Sequence, residues 1–180
     1  MKPLTLIPMA MLISWNFLGA QKTPMLFPHL KAETLKKQEI VFPKDIRKEV
    51  NILVLVFEQR AQSLVDTWAD IILTEYEPQG NISYHEVPMI SGWWFPISWQ
   101  IDNWMRGGIP EQYHSNTATF YGNRKPYFQA LEMDNPKSCY VFVLDKMGFI
   151  RFRAEGVRTP EKELPFRKAI GALLGDFAPQ

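Results

Sequence analysis

From Val50 to Phe57 the chain reads VNILVLVF, apolar at almost every position and rich in Val and Leu. A strand with one face in water alternates apolar and polar residues. A run without that alternation needs cover on both faces, which marks a central strand. RAQSLVDTWADIILTEY follows, with Ala61, Leu64, Val65, Trp68, Ile71 and Ile72 recurring in steps of three and four. That spacing gathers them on one face of a helix, which Pro78 and Gly80 stop. Residues 82–87 then read as a second strand. Strand, helix and strand of these lengths predict a βαβ unit, its strands parallel and its crossover right-handed.

A second strong pattern lies in SCYVFVLDKMGFIRFRAEG. Strand-like runs at 140–144 and 149–153 flank a turn at 145–148, which predicts a β-hairpin with Gly148 at positive φ. In the second run Phe149, Arg151 and Arg153 point one way and Ile150 and Phe152 the other, so one face is buried. The last helix starts with Thr159 as N-cap, Pro160 at its first position and acids at 161 and 163. Pro165 either kinks it or marks its true start.

The remaining segments carry weaker patterns. LKAETLKKQEIVFP alternates in short pieces and predicts a small edge hairpin; KDIRKEV after it reads as one helical turn. Between 91 and 136 the pattern predicts a helix over about 97–106, ended by Gly107 and Gly108, and a short helix at 127–131. The resulting order is β-α-β-α, a long loop, then β-β-α.

Residues 1–20, MKPLTLIPMAMLISWNFLGA, change the picture of the chain as a whole. One basic residue, an apolar stretch and a small-residue end predict a secretory signal peptide cleaved after Ala20. The alternative is an uncleaved anchor, but Pro3, Pro8 and Asn16 shorten the apolar stretch below the roughly 20 residues a span needs. The expected organisation is therefore a signal peptide at 1–20 and one domain at 21–180 with a long insertion around 91–136. The expected location is the periplasm or the outer side of the inner membrane. Apolar residues are 46% and charged residues 22% of the chain, a globular balance that excludes disorder. Cleavage removes Lys2 and no acid, leaving 19 basic against 19 acidic residues, and a neutral chain gives nucleic-acid binding no support.

Several of these segments resemble a known family. VLVFEQRAQSLVDTWAD is similar to the first strand and helix of the mitochondrial ATP-synthase assembly factors, the ATPase-ten family, in its Gln/Arg turn and Asp-x-Trp. FYGNRKPYFQALEMDNPKSCYVFVLDKMGFIRFRAEG resembles that family's second block, and LKAETLKKQEIVFPKDIRKEVNILVLVF the lead-in of exported thioredoxin-like and peroxiredoxin-like domains. The resemblance implies an α/β, thioredoxin-like three-layer sandwich: a mixed sheet with a βαβ unit and a C-terminal hairpin plus helix. It also implies a redox-inactive protein that assists assembly of the ATP synthase membrane sector. The first twenty residues depart from a mitochondrial transit peptide, being neither Arg-rich nor amphipathic, so the partner of the mitochondrial members need not carry over.

Three groups of residues are candidates for function. Gln59, Arg60 and Gln62 occupy the turn where redox members of the fold carry a thiolate at the positive end of a helix. They form either a polar spot that receives a partner's carboxylate or backbone, or a solvated turn. Cys139 is the chain's one cysteine and falls where the fold places a cis-proline; it is either a buried small residue or a free thiol. The thiol reading implies an oxidoreductase or peroxiredoxin-like protein working with Cys139 alone. Trp93, Trp94, Trp99 and Trp104 crowd a dozen residues, either as a surface for a partner or membrane interface, or as packing under a long loop. His29, His85 and His114 are scattered, and no cysteine pair exists, so neither a metal nor another cofactor is expected. The expected partner is another protein, associated with a membrane.

Overall fold

The computed structural model describes residues 25–175, so the signal-peptide segment lies outside the described residues. Seven strands form one sheet: β1 (Leu30–Thr34), β2 (Glu39–Phe42), β3 (Val50–Val56), β4 (Ile82–Ser91), β5 (Ala118–Gly122), β6 (Cys139–Asp145) and β7 (Ile150–Glu155), in the order β2-β1-β5-β4-β3-β6-β7. β4 runs parallel to both β3 and β5, and the other pairs are antiparallel. The helices are α1 (Gln62–Ile71), α2 (Ser98–Gly108), α3 (Lys125–Ala130) and α4 (Pro160–Leu174). The mixed sheet, the βαβ unit and the terminal hairpin with its helix are the expected thioredoxin-like layout.

Every residue of β3 and of β6 is buried, as the unbroken apolar run required. Val50, Ile52, Val54 and Val56 face α1 and α4, where Val65, Trp68, Phe166 and Ile170 complete one core. Leu53 and Leu55 face a second core with Phe27, Leu30, Phe42, Phe142 and Leu131, which Tyr127 and Phe128 of α3 help to cover. Trp68 anchors the first core. Its ring is fully buried, meets Phe166 edge-on at 5.3 Å, and its indole N–H donates to the Gly156 carbonyl at 2.8 Å.

The hairpin departs from simple alternation. Val143 pairs with Phe152 but Leu144 pairs with Ile150, so Arg151 is an extra residue in β7. The bulge puts Ile150 against the second core and Phe152 against the first, not on one face as the alternation predicted. Its cause is in the turn. Asp145 accepts the N–H groups of Met147 and Phe149 with one oxygen and the Arg151 guanidinium with the other, at 2.6 and 2.8 Å. Gly148 has φ 86°, and a Cβ there would lie 2.5 Å from Pro43.

Three further elements differ from expectation. KDIRKEV forms turns and bends, not a helical turn: the Asp45 carboxylate takes the Val41 N–H at 2.8 Å, and the Asn51 amide donates to the Lys48 carbonyl. Such side-chain bonds compete with a helix for the backbone. β5, inside the stretch expected to be loop, joins the sheet beside β4. α4 starts at Pro160 and runs through Pro165, with Thr159 in the N-cap position but capping through its carbonyl, not its hydroxyl.

His85 on β4 makes one contribution to the acid sensitivity of this fold. Its ring meets Phe42 edge-on at 5.3 Å, its Nδ1 is buried without a hydrogen-bond partner among the described residues, and burial pushes its pKa from 6.5 down to about 4. The unfolded chain therefore takes up this proton first. The contribution is whole above about pH 6.5 and is lost as pH falls from there to about 4. His85→Leu is expected to remove up to about 3 kcal/mol of the stability lost between pH 7 and pH 4, read by urea denaturation at each pH.

Candidate functional site

The turn after β3 is a 3₁₀ turn, Gln59–Ala61, that leads into α1 at Gln62. Arg60 donates to the Glu58 carboxylate, and Gln62 donates to Asp66 at 3.2 Å. The side chains available here are therefore amides and carboxylates, with the one guanidinium already held. Cys139 opens β6 directly opposite Val56, the last residue of β3. It is fully buried, its thiol donates to the Gly156 carbonyl at 3.6 Å, and burial pushes its pKa up to about 11. At neutral pH only about one molecule in ten thousand carries the nucleophilic thiolate.

α2 is built inside out. An amphipathic helix ordinarily turns its apolar stripe to the core, yet the buried residue of α2 is Asp102, 7% exposed, while Trp99 and Trp104 are 60% and 68% exposed. Asp102 accepts the Tyr121 hydroxyl of β5 at 2.8 Å and the Lys37 ammonium of the β1–β2 turn at 3.1 Å. Arg106 adds a bond to the Leu35 carbonyl at 3.1 Å. Polar bonds thus hold α2 to β5 and the β1–β2 turn and leave its large apolar side chains outside. The 3₁₀ turn before it continues the pattern, with Trp93 at 91% and Phe95 at 66% exposure and Trp94 also exposed. The tryptophans do not pack under the loop; they form its surface.

α1, β4, α2 and residues 109–117 enclose a groove of about 730 Å³. It brings together three of the sequence-predicted residues, Gln59, Gln62 and Trp104. Trp93 lines a separate hollow of about 880 Å³ beside Arg124 and Lys125, and Arg124 is committed there to the carbonyls of Phe57 and Met89 at 3.4 and 3.3 Å. Sequence reasoning missed the residues on the groove's floor: Tyr84 and Glu86 of β4, and Asp66 of α1. Their signal was faint but present. Tyr84 and Glu86 are two apart on a strand and share a face, and Asp66 lies one helical turn beyond Gln62. Burial pushes the Glu86 carboxyl above its usual range and Asp66 adds to the effect, while Gln62 and Tyr84 beside it act the other way. Among the described residues, no group of three or more His, Cys, Asp or Glu is placed to hold a metal ion.

A family model described as ATP10 protein matches residues 16–173, nearly the whole chain. The chain belongs to the ATP10 protein family. No curated protein matches it. The solved structures that this ATP10 chain resembles share its thioredoxin-like fold at low identity. BsSco, a member of the Sco family of cytochrome c oxidase assembly proteins, is 10% identical with a TM-score of 0.55, over 84% of this chain and 95% of that one. A SCO1/SenC family lipoprotein from Bacillus anthracis is 12% identical with a TM-score of 0.53, over 83% and 96%. The exposed lipoprotein thioredoxin of Streptococcus pneumoniae is 11% identical with a TM-score of 0.51, over 78% and 98%.

The burial of Cys139 has a direct chemical consequence. Iodoacetamide is expected to modify the native protein at least about 100-fold more slowly than free cysteine at pH 8, because both access and thiolate are suppressed. Mass spectrometry over time, with and without urea, measures this. Fast labelling of the native chain contradicts the buried, high-pKa placement.

Proposed function

We propose that this ATP10-family chain is an exported, thioredoxin-fold binding protein that does no thiol chemistry and assists assembly of a membrane protein complex, of the ATP-synthase kind. The observation that carries this reading is the inverted α2. Exposed tryptophans and phenylalanine in one short segment are costly in a protein that stays alone, and they are the residue types that dominate protein interfaces. Family membership supports a partner within a complex. The turn without cysteine and the buried Cys139 support a role without disulfide exchange.

A signal peptide at 1–20, cut after Ala20, belongs to the same proposal, since it would deliver the chain to the face of the membrane where such a partner is met. No helix among the described residues is long and apolar enough to cross a membrane. On this reading the domain reaches the membrane complex through its aromatic surface, where Trp93, Trp94, Phe95, Trp99 and Trp104 are all exposed.

The test is cross-linking of the tagged mature chain in native membranes, followed by mass spectrometry. ATP-synthase membrane subunits are expected in the captured set. Trp94→Ser with Trp99→Ser is expected to lower their recovery at least about 5-fold, as loss of interface anchors does. The melting temperature should change little, because both side chains are exposed. Absence of these subunits, or capture that ignores the double substitution, overturns the proposal.

A further inference from the structure

From 92 to 116 a single residue is buried, and it is a carboxylate, Asp102. Ile97, Ile101 and Met105 are half-buried, yet among the described residues none between 92 and 109 packs against either core. Apolar burial, which holds most helices in place, therefore contributes little here. The attachment of α2 is polar. Asp102 meets Tyr121 and Lys37, the Tyr121 hydroxyl also lies 3.2 Å from the Ser98 carbonyl, and Arg106 donates to the Leu35 carbonyl. Glycines bound the segment: Gly92 precedes the tryptophans, and α2 ends in Gly107 and Gly108, where a Cβ would meet nothing within 4 Å. Glycine is a poor helix former and absorbs backbone rotation readily.

Lys37 supplies a second, independent sign. It sits in the β1–β2 turn at φ 63°, a left-handed conformation that is unfavourable for a residue with a Cβ and open to glycine. A lysine kept there against its backbone preference points to a task for its ammonium. That ammonium lies 3.1 Å from Asp102 and 3.0 Å from Glu33. The lysine side chain is half exposed, whereas that of Asp102 is 10% exposed. Water thus reaches the ion pair from one end, and breaking it leaves Asp102 buried without a cation.

We propose that Lys37, Asp102 and Tyr121 form a latch, and that residues 92–108 are a flap, hinged at its glycines, which holds the aromatic surface together only while the latch is closed. Trp99 and Trp104 ride on α2, and Phe95 of the turn before it meets the Tyr121 ring edge-on at 6.4 Å. Tyr121 thereby fixes both the helix and the turn. Opening releases α2 as a helix of 11 residues, too short to persist alone in water, and the arrangement of its aromatic side chains is lost with it. The latch deepens the binding reading above by making Lys37, Asp102 and Tyr121 positioning residues for the partner surface, and it rests on that reading only for this role.

The experiment is hydrogen–deuterium exchange with mass spectrometry on the purified mature chain. It follows the amides of 102–109, which carry the hydrogen bonds of α2. They are expected to exchange at least about 10-fold faster than those of β3 and β6, because opening the flap leaves both cores intact. Asp102→Ala should speed them by about another 10-fold, as loss of charge-assisted bonds does, with β3 and β6 unchanged. Lys37→Gly relieves the backbone while it opens the latch. It should speed the same amides at least about 5-fold with the melting temperature unchanged or raised, whereas a residue that merely supported the turn would lower that temperature. Exchange at 102–109 as slow as in β3, a change below about 2-fold in both variants, or faster exchange throughout the chain overturns the latch. Its role in binding is read separately, by cross-linking in native membranes, where Lys37→Gly should lower recovery of the captured subunits at least about 5-fold. Undiminished recovery overturns that role, whereas a wild-type chain that captures nothing overturns the binding reading and leaves the latch to stand on its exchange.

Discussion

β3 and β6 lie side by side with no exposed residue in either, and the rest of the molecule follows from having to cover both of their faces. A strand pair of this kind cannot stand at a surface, because its side chains alternate between two apolar layers. α1 and α4 supply one layer through Trp68 and Phe166; the N-terminal segment and α3 supply the other through Phe27, Phe42 and Phe128. Cys139 is the first residue of β6, so it inherits this burial. The position that would face a redox turn is filled by a thiol shut off from solvent, whose burial outweighs the opposing pull of the Lys162 ammonium.

The same constraint explains why α2 is free to face outward. Both layers are complete without it, and its hold on β5 and the β1–β2 turn comes from Asp102 with Tyr121 and Lys37 in place of apolar packing. A helix fixed by a few polar bonds can present Trp99 and Trp104 to solvent in a defined orientation. On the proposed reading this preorganisation lowers the cost of binding, since the aromatic anchors need little ordering when a partner arrives.

Much of the fold was legible because it rests on local or periodic signals. The run at 50–57, the helical spacing after it, the hairpin at 140–153 and the proline start at Pro160 each declare themselves within a few residues. What stayed hidden depends on contacts between distant residues. β5 reads as loop because its partners are β4 and β1, and nothing in ATFYG announces either. The bulge at Arg151 depends on Asp145 drawing in its guanidinium, which alternation alone cannot reveal. The candidate site divides in the same way. The tryptophan cluster is visible in sequence, whereas its exposure depends on a buried aspartate that a helical wheel would assign to the wet side. Tyr84, Glu86 and Asp66 become a group only when β4 and α1 are packed together.

On the proposed function, this member of the ATP10 family keeps the shape of a disulfide-exchange fold without the chemistry. The most direct test is reduction of insulin disulfides by dithiothreitol, followed by turbidity, with the mature protein, its Cys139→Ser variant and no protein. The account predicts three indistinguishable rates, because the thiol is buried and protonated. A rate that rises with protein concentration and falls to background in Cys139→Ser contradicts it.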